Sequence, residues 1–212
     1  MLMEFIKVHE IDILLVQEVT NMIKQDLFGY ETHYNIGTSK RGMAIVAREG
    51  IKLENIIRLP SGRAIGARFR DTWIINIYAP SGTEKRHERE HFYSTELAYL
   101  LTTEPQFIVM GGDFNCVLKR DDTTGNFSYS RALDALVGGM DLHDAWQGGA
   151  NRPGYTHYSL GCAARLDRIY ISSVLMRRKQ GMETIAAGFT GHLAVCLRLS
   201  VVEPIMRRGP GY

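Results

Sequence analysis

The chain has 212 residues, 45% of them hydrophobic and 23% charged, with a formal net charge of +2. That is enough apolar chain for one sizeable core, and the mild positive balance permits a polyanionic partner without specifying one. No apolar run has membrane-spanning length, the N-terminus lacks a leader pattern, and the widely spaced Cys116, Cys162 and Cys196 exclude a disulfide frame or a CxxC zinc site. All three read as free thiols with a packing role, in a reducing intracellular compartment.

Leu2, Phe5 and Ile6 fall at helical spacing and mark the end of an amphipathic helix over 1–9. Residues 11–18, IDILLVQE, are a continuous apolar run closed by Gln17 and Glu18, which predicts a buried strand with a carboxylate at its end. Residues 20–30 read as a polar connection with some helical character. A strand over 42–48 follows the basic loop of Ser39, Lys40 and Arg41. Residues 51–59 and 63–70 alternate around Pro60, Ser61 and Gly62, as an antiparallel pair does. TWIINIYAP over 72–80 is a strong strand, and 83–101 is an amphipathic helix whose charged first half forms a solvated face.

The stretch IVMGGDFNCVL, 108–118, combines an apolar strand, a glycine pair suited to a sharp turn, and Asp113 and Asn115 two residues apart. In extended backbone that spacing puts an anionic oxygen and an amide on one side, half of a site for a hard metal ion or a phosphate. The same residues also suit a plain turn. A loop with Lys119, Arg120, Asp121, Asp122 and Gly125 follows, then a short helix over 130–138 with Ser130 as its N-cap. Residues 142–146 and 154–159 are short irregular or strand segments, 164–172 alternates as a strand, and 189–199 is a loop and a final strand. The predicted domain spans 1–203, with a loose tail over 204–212 that carries Arg207 and Arg208.

Polar residues cluster where these strands end. Glu18, Tyr78, and Asp113 with Asn115 close three of them, Asp167 interrupts a fourth, and His192 precedes a fifth. Strands alternating with helices predict a layered α/β fold, in which such strand ends meet in one crevice. Carboxylates, an amide, a phenol and a His–Asp couple together fit metal-assisted hydrolysis of a phosphate ester.

The segments VQE (16–18), NIYAP (76–80), GGDFN (111–115), LDRIY (166–170) and GHLAV (191–195) resemble, in order and separation, the endonuclease/exonuclease/phosphatase superfamily of exonuclease III and the apurinic endonucleases. Within it, GDFNCVL, the DDTTG loop with ALDALV and LHDAW, RPGYTHYS and RLDRIYIS most resemble the endonuclease domain of non-LTR (LINE-type) retrotransposons. The resemblance implies a four-layer α/β sandwich, two mixed sheets flanked by helices, with DNA gripped by loops at one end. It implies Glu18 as ligand to Mg²⁺, with Mn²⁺ an acceptable substitute, and Tyr78 near the scissile phosphate. It also implies Asp113 orienting or deprotonating water, Asn115 binding phosphate, and Asp167 holding His192 against the phosphate. Whether Asp113 or the Asp167–His192 couple is the base stays open. Arg41, Arg120, Tyr155, His157 and Arg165 would lie near the DNA, where Arg and Tyr suit phosphate contact and stacking.

The implied activity is nicking of double-stranded DNA in the nucleus, leaving a 3′-hydroxyl that primes reverse transcription by a domain fused in the same polyprotein. An apurinic endonuclease, a phosphatase of the same superfamily, or an inactive DNA-binding module are the alternatives. Two departures stand out. The chain starts at the helix after the family's first strand, which carries an asparagine, so an exposed edge or groove is expected. Gly191 also stands where the family has an aspartate before the histidine.

Overall fold

The computed structural model describes residues 1–19, 27–37, 41–102, 107–147, 154–159 and 161–201. A short helix α1 (Leu2–Val8) leads into strands β1 (Ile13–Val19), β2 (Tyr30–Asn35), β3 (Gly42–Arg48), β4 (Glu54–Arg58), β5 (Ala64–Phe69) and β6 (Thr72–Tyr78). Helix α2 (Arg86–His91) runs through a π-helical turn (Phe92–Leu97) into α3 (Ala98–Thr102). Then come β7 (Phe107–Asp113), α4 (Arg131–Gly139), β8 (Leu142–Asp144), the hairpin β9 (His157–Ser159) and β10 (Cys162–Ala164), and β11 (Asp167–Ser172). The last pair is β12 (Lys179–Ala186) with β13 (Leu193–Leu199).

Six strands form the central sheet in the order β4-β5-β6-β7-β11-β8, with β6 and β7 parallel and the other neighbours antiparallel. All seven residues of β6 are buried, because helices cover one face of this sheet and further strands cover the other. On the helical face Trp73, Ile75 and Ile77 pack with Phe92, Tyr93, Leu97 and Leu133. On the opposite face Ile65 and Ala67 meet Met43, Ile45 and Ala47 of β3, while Ala44 and Val46 point outward to Ile6 of α1. The order helix, sheet, strand layer, helix is the expected four-layer α/β sandwich. Among the described residues the second strand layer is in two antiparallel pieces, β1-β3-β2 and β12-β13, not one mixed sheet.

The strands over 42–48, 63–70 and 72–80, the helix over 83–101 and the Ser130 cap stand where the pattern puts them, the Ser130 hydroxyl accepting from the Leu133 N–H at 3.1 Å. Other expectations need correction. Gly111 and Gly112 do not turn the chain. They lie inside β7, where a Cβ at Gly111 would come 2.9 Å from Leu15 Cδ1 and one at Gly112 2.0 Å from the Ile77 carbonyl oxygen. At Gly112 the close approach of β6 and a φ of +141° demand glycine, whereas at Gly111 the neighbour is the end of a flexible side chain. Arg89, in the charge cluster read as solvated, is 2% exposed and donates to the carbonyls of Pro80 and Gly82. Cys116 is buried as expected, but Cys162 is exposed. Strands β2 and β12 have no counterpart in the pattern, since YETHYN and KQGMETIA dilute their apolar positions with polar side chains at a layer's margin. The connection over 20–26, Lys40 and the tail over 204–212 lie outside the described residues.

Asn76 ties the two strand layers together. It is fully buried, donates to the carbonyls of Val16 and Ala44 at 2.9 Å each, and accepts from Gln17 Nε2 at 2.6 Å. Asn76→Leu strands two carbonyls and an amide, so urea denaturation should show a loss of about 2–3 kcal/mol at unchanged slope. A change within about 0.5 kcal/mol, the range of an ordinary surface substitution, would remove Asn76 from this role.

Candidate active site

The site is built by register. Tyr78 at the end of β6 lies opposite Asp113 at the end of β7, and Asp113 lies opposite Asp167 at the start of β11. Three adjacent strands thus deliver a phenol and two carboxylates in one row. His192 enters from the loop before β13, and its Nδ1 is 2.8 Å from Asp167 Oδ2. Two backbone N–H groups, those of Leu166 and Asp167, donate to the Thr156 hydroxyl at 3.0 Å and hold the start of β11. Thr156 is 1% exposed. It went unread because a threonine in a short irregular segment carries no pattern.

Asn115 reaches Asp113 by a different route from the one its spacing suggests. β7 stops at Asp113, and Asn115 has a left-handed φ of +47°. From there its backbone N–H donates to Asp113 Oδ1 at 2.9 Å and its Nδ2 to Asp113 Oδ2 at 3.0 Å. A second bond, from Nδ2 to the Ala79 carbonyl at 2.9 Å, fixes the amide. An aspartate–asparagine turn closing on itself, not strand alternation, brings the two together.

Burial, and then the adjacent Asp167 carboxylate, push the Asp113 carboxyl up to about 7. The hydrogen bond to Asp167 raises the His192 imidazole above its ordinary value. His157 faces His192 across a β-bridge with ring centroids 4.6 Å apart, and burial followed by the His192 charge lowers it. One atom each from Asp113, Asp167 and His192 lies within 4.8 Å of the others. Two carboxylates and an imidazole suit a divalent cation. The Asp167 charge that, after burial, raises the Asp113 carboxyl is one that a cation would relieve.

Glu18, expected as the metal ligand, sits beside this group and not within it. Its carboxylate accepts the Tyr78 hydroxyl at 2.5 Å and pairs with Arg41. Its φ of +58° breaks the regular pairing of β1 with β3 and turns the end of the strand toward Tyr78. Burial, with the bond to Glu18 next, pushes the Tyr78 phenol up to about 12.

The residues expected to grip DNA divide. Arg41 and Arg120 are exposed, Arg41 on Glu18 and Arg120 donating to the Gly125 carbonyl at 2.9 Å. Tyr155 is half-buried against Tyr158, edge to face at 6.4 Å. Arg165 is a correction. It is 6% exposed, with Nε 3.0 Å from Asp122 and Nη1 2.6 Å from Asp144. Arg168, 1% exposed, joins Asp122 at 3.3 Å and donates to the Cys116 carbonyl at 2.9 Å. Burial raises the Asp122 carboxyl, but the Arg165 hydrogen bond and the charges of Arg168 and Arg165 outweigh it and leave the carboxyl below its ordinary value. Arg165 therefore braces the loop after β7 from inside. The cue was present in the sequence, since Asp122, Asp144, Arg165 and Arg168 supply matching charges, but pairing across such separations is set only by the fold.

The architecture is shared with solved structures. An AP endonuclease from Archaeoglobus fulgidus superposes with a TM-score of 0.81 at 21% identity, covering 95% of this chain and 93% of that one. A Neisseria 3′ phosphatase, NExo, bound to product DNA hairpin superposes with a TM-score of 0.77 at 17% identity, covering 93% and 94%. In sequence, an uncharacterized 149 kDa protein of transposon TX1 from Xenopus laevis is 31% identical over an alignment of 157 residues that covers 68% of this chain. The match spans 12% of that protein's length. Residues 1–189 match the Endonuclease/Exonuclease/phosphatase family, and with nearly the whole chain so matched it belongs to that family.

Proposed function

We propose that this chain is the Mg²⁺-dependent endonuclease unit of a non-LTR retrotransposon. It would nick one strand of duplex DNA in the nucleus, and the resulting 3′-hydroxyl would prime reverse transcription by a domain of the same polyprotein. The observation that carries the reading is the meeting of Asp113, Asp167 and His192 at the ends of adjacent strands, and the identity to a transposon protein supports the element. Asp113 is suited to take the proton of the attacking water, because Asn115 fixes both its oxygens beside the cluster. Asp167 occupies Nδ1 of His192, which leaves Nε2 for a phosphoryl oxygen. The carboxylates of the cluster would hold the cation, which neutralises charge building on the phosphoryl oxygens.

Nicking of supercoiled plasmid tests this directly. With Mg²⁺ the chain should nick, EDTA should abolish nicking, and Asp113→Ala should lower the rate by about 10²–10⁴-fold. Salt-sensitive DNA binding without nicking would instead identify an inactive binding module. Cleavage confined to abasic duplex or to a terminal phosphate would identify another activity of the family.

Gly191 permits a second test. A Cβ built there meets nothing within 4 Å, and its φ lies outside the left-handed region, so a side chain fits. Gly191→Asp adds a carboxylate next to His192 and should raise nicking about tenfold at limiting Mg²⁺, equivalent to about 1.4 kcal/mol. An unchanged rate would show that the position contributes nothing to the site.

The same charges set a pH dependence in chelator. The folded chain holds the Asp113 and His192 protons more tightly than the unfolded chain, so their stabilisation is complete at low pH and is lost as pH rises through the folded values. For Asp113 the window runs from about 4, its unfolded value, to about 7. Thermal melts in EDTA should fall across that window, and Asp113→Asn should flatten the fall. An equal slope in the variant would contradict the burial of this charge.

A further inference from the structure

The helical segment packed on the central sheet changes register beside the end of β7. Helix α2 stops at His91, and the π-helical turn over Phe92–Leu97 follows before α3. A π turn closes its hydrogen bond one residue later than an α turn, and such turns occur often at functional sites. Here it brings two consecutive aromatic side chains into the core. Phe92 is 1% exposed and Tyr93 0%, with ring centroids 5.3 Å apart.

The partner of the Tyr93 hydroxyl sets it apart from a plain core residue. It donates to the Phe114 carbonyl at 2.5 Å, with Cys116 Sγ 3.7 Å away. That carbonyl belongs to the peptide group between Phe114 and Asn115. The N–H of the same peptide group donates to Asp113 Oδ1 at 2.9 Å. A trans peptide is planar and its C=O and N–H point in opposite directions, so a bond that fixes the oxygen fixes the hydrogen too. Bonds in such a chain also polarise one another. The preceding peptide group is held as well, since the Phe114 N–H donates to the Leu166 carbonyl at 2.9 Å. The turn needs this support, because Asn115 has a left-handed φ of +47°. Neighbours of Tyr93 brace the same region. Arg89 donates to the Pro80 and Gly82 carbonyls and to the Ser128 hydroxyl, and the Glu90 carboxylate accepts the Ala132 N–H near the start of α4.

We propose that Tyr93 is a positioning residue for Asp113, acting through the Phe114–Asn115 peptide group to aim the N–H that holds Asp113 Oδ1. Tyr93 is buried behind the turn and acts only through it. Without the hydroxyl this peptide group is free to tilt, and Oδ1 loses its fixed donor. The bond from Asn115 Nδ2 to Oδ2 stays, because the Ala79 carbonyl anchors that amide separately. The effect is therefore a partial loss. The proposal deepens the nuclease reading and rests on it for the kinetic consequence alone.

Tyr93→Phe tests it, since the substitution removes one oxygen and keeps the ring. By NMR on the whole chain, the Asn115 amide proton should move upfield. It should also exchange about tenfold faster, measured relative to the Met110 amide in the middle of β7. With plasmid and Mg²⁺, kcat for nicking should fall about tenfold at unchanged KM. In an Asp113→Ala background the substitution should cost nothing further, because it acts through that carboxylate. Val137→Ala opens the same core cluster without touching the turn, and it should move neither the amide nor the rate. In the unmodified chain the Tyr93 hydroxyl proton should itself be a slowly exchanging downfield resonance, a reading that needs no variant to fold. An unchanged Asn115 amide in Tyr93→Phe would overturn the proposal, as would a missing hydroxyl resonance. So would equal kinetic losses with and without Asp113, or the same losses from Val137→Ala. A chain that nicks no DNA would refute the nuclease reading, and the Asn115 amide would still decide the role of Tyr93.

Discussion

Two carboxylates held side by side in a low-dielectric setting are the constraint around which the site is arranged. Asp113 and Asp167 are opposite one another because β7 and β11 pair in that register, and no side-chain rotation undoes a pairing fixed by backbone hydrogen bonds. Their repulsion is met in three ways. Asn115 donates twice to Asp113, His192 takes Asp167, and the Asp113 carboxyl rises toward neutrality. Each response is also a chemical capability: an oriented base, a held imidazole and room for a cation. This is the usual relation between perturbed acids and function, and here the perturbation traces first to the burial of Asp113 and then to the strand register that sets Asp167 beside it.

Such a row is useful only if its strands cannot shift. On the loop side, Arg165 and Arg168 converge on Asp122 and Asp144 within the protein. Removing one member of a buried charge set leaves the rest uncompensated, so the set acts less as net stabilisation than as a lock on one loop geometry. Toward the second layer, Asn76 reaches the backbones of β1 and β3. The glycine pair in β7 does the complementary work of letting neighbours approach, since a Cβ at Gly112 would overlap the Ile77 carbonyl.

What the sequence disclosed follows from the same physics. Strands buried on both faces, such as β6 and β3, announce themselves as unbroken apolar runs, and the capped helix α4 announces itself by Ser130. Tyr78, Asp113, Asp167 and His192 were legible because each sits at a strand end and their motifs keep family order. Marginal strands were not legible, since half-exposed β2 and β12 need few apolar residues. The role of Arg165 was hidden for another reason. An arginine beside a strand of the candidate site looks the same in sequence whether it reaches outward to solvent or inward to Asp122. Asn115 meets Asp113 through a turn and not through strand alternation, because spacing alone does not distinguish a strand from a turn that folds back on its own aspartate.

Glu18 joins the site to the second strand layer. It ends β1 in a left-handed conformation, and Tyr78 and Arg41 hold its carboxylate. Asp113 and Asp167 are braced within the central sheet, whereas Glu18 relies on a strand that, among the described residues, pairs on one side and on an exposed ion pair, and exposed pairs contribute at most about 1 kcal/mol. The site therefore has a rigid half and a compliant half. Any change that fixes β1 more firmly acts on Glu18 first. Through the Tyr78 hydroxyl it acts next on the phenol opposite Asp113, so the second layer is linked to Asp113 along a chain of two contacts.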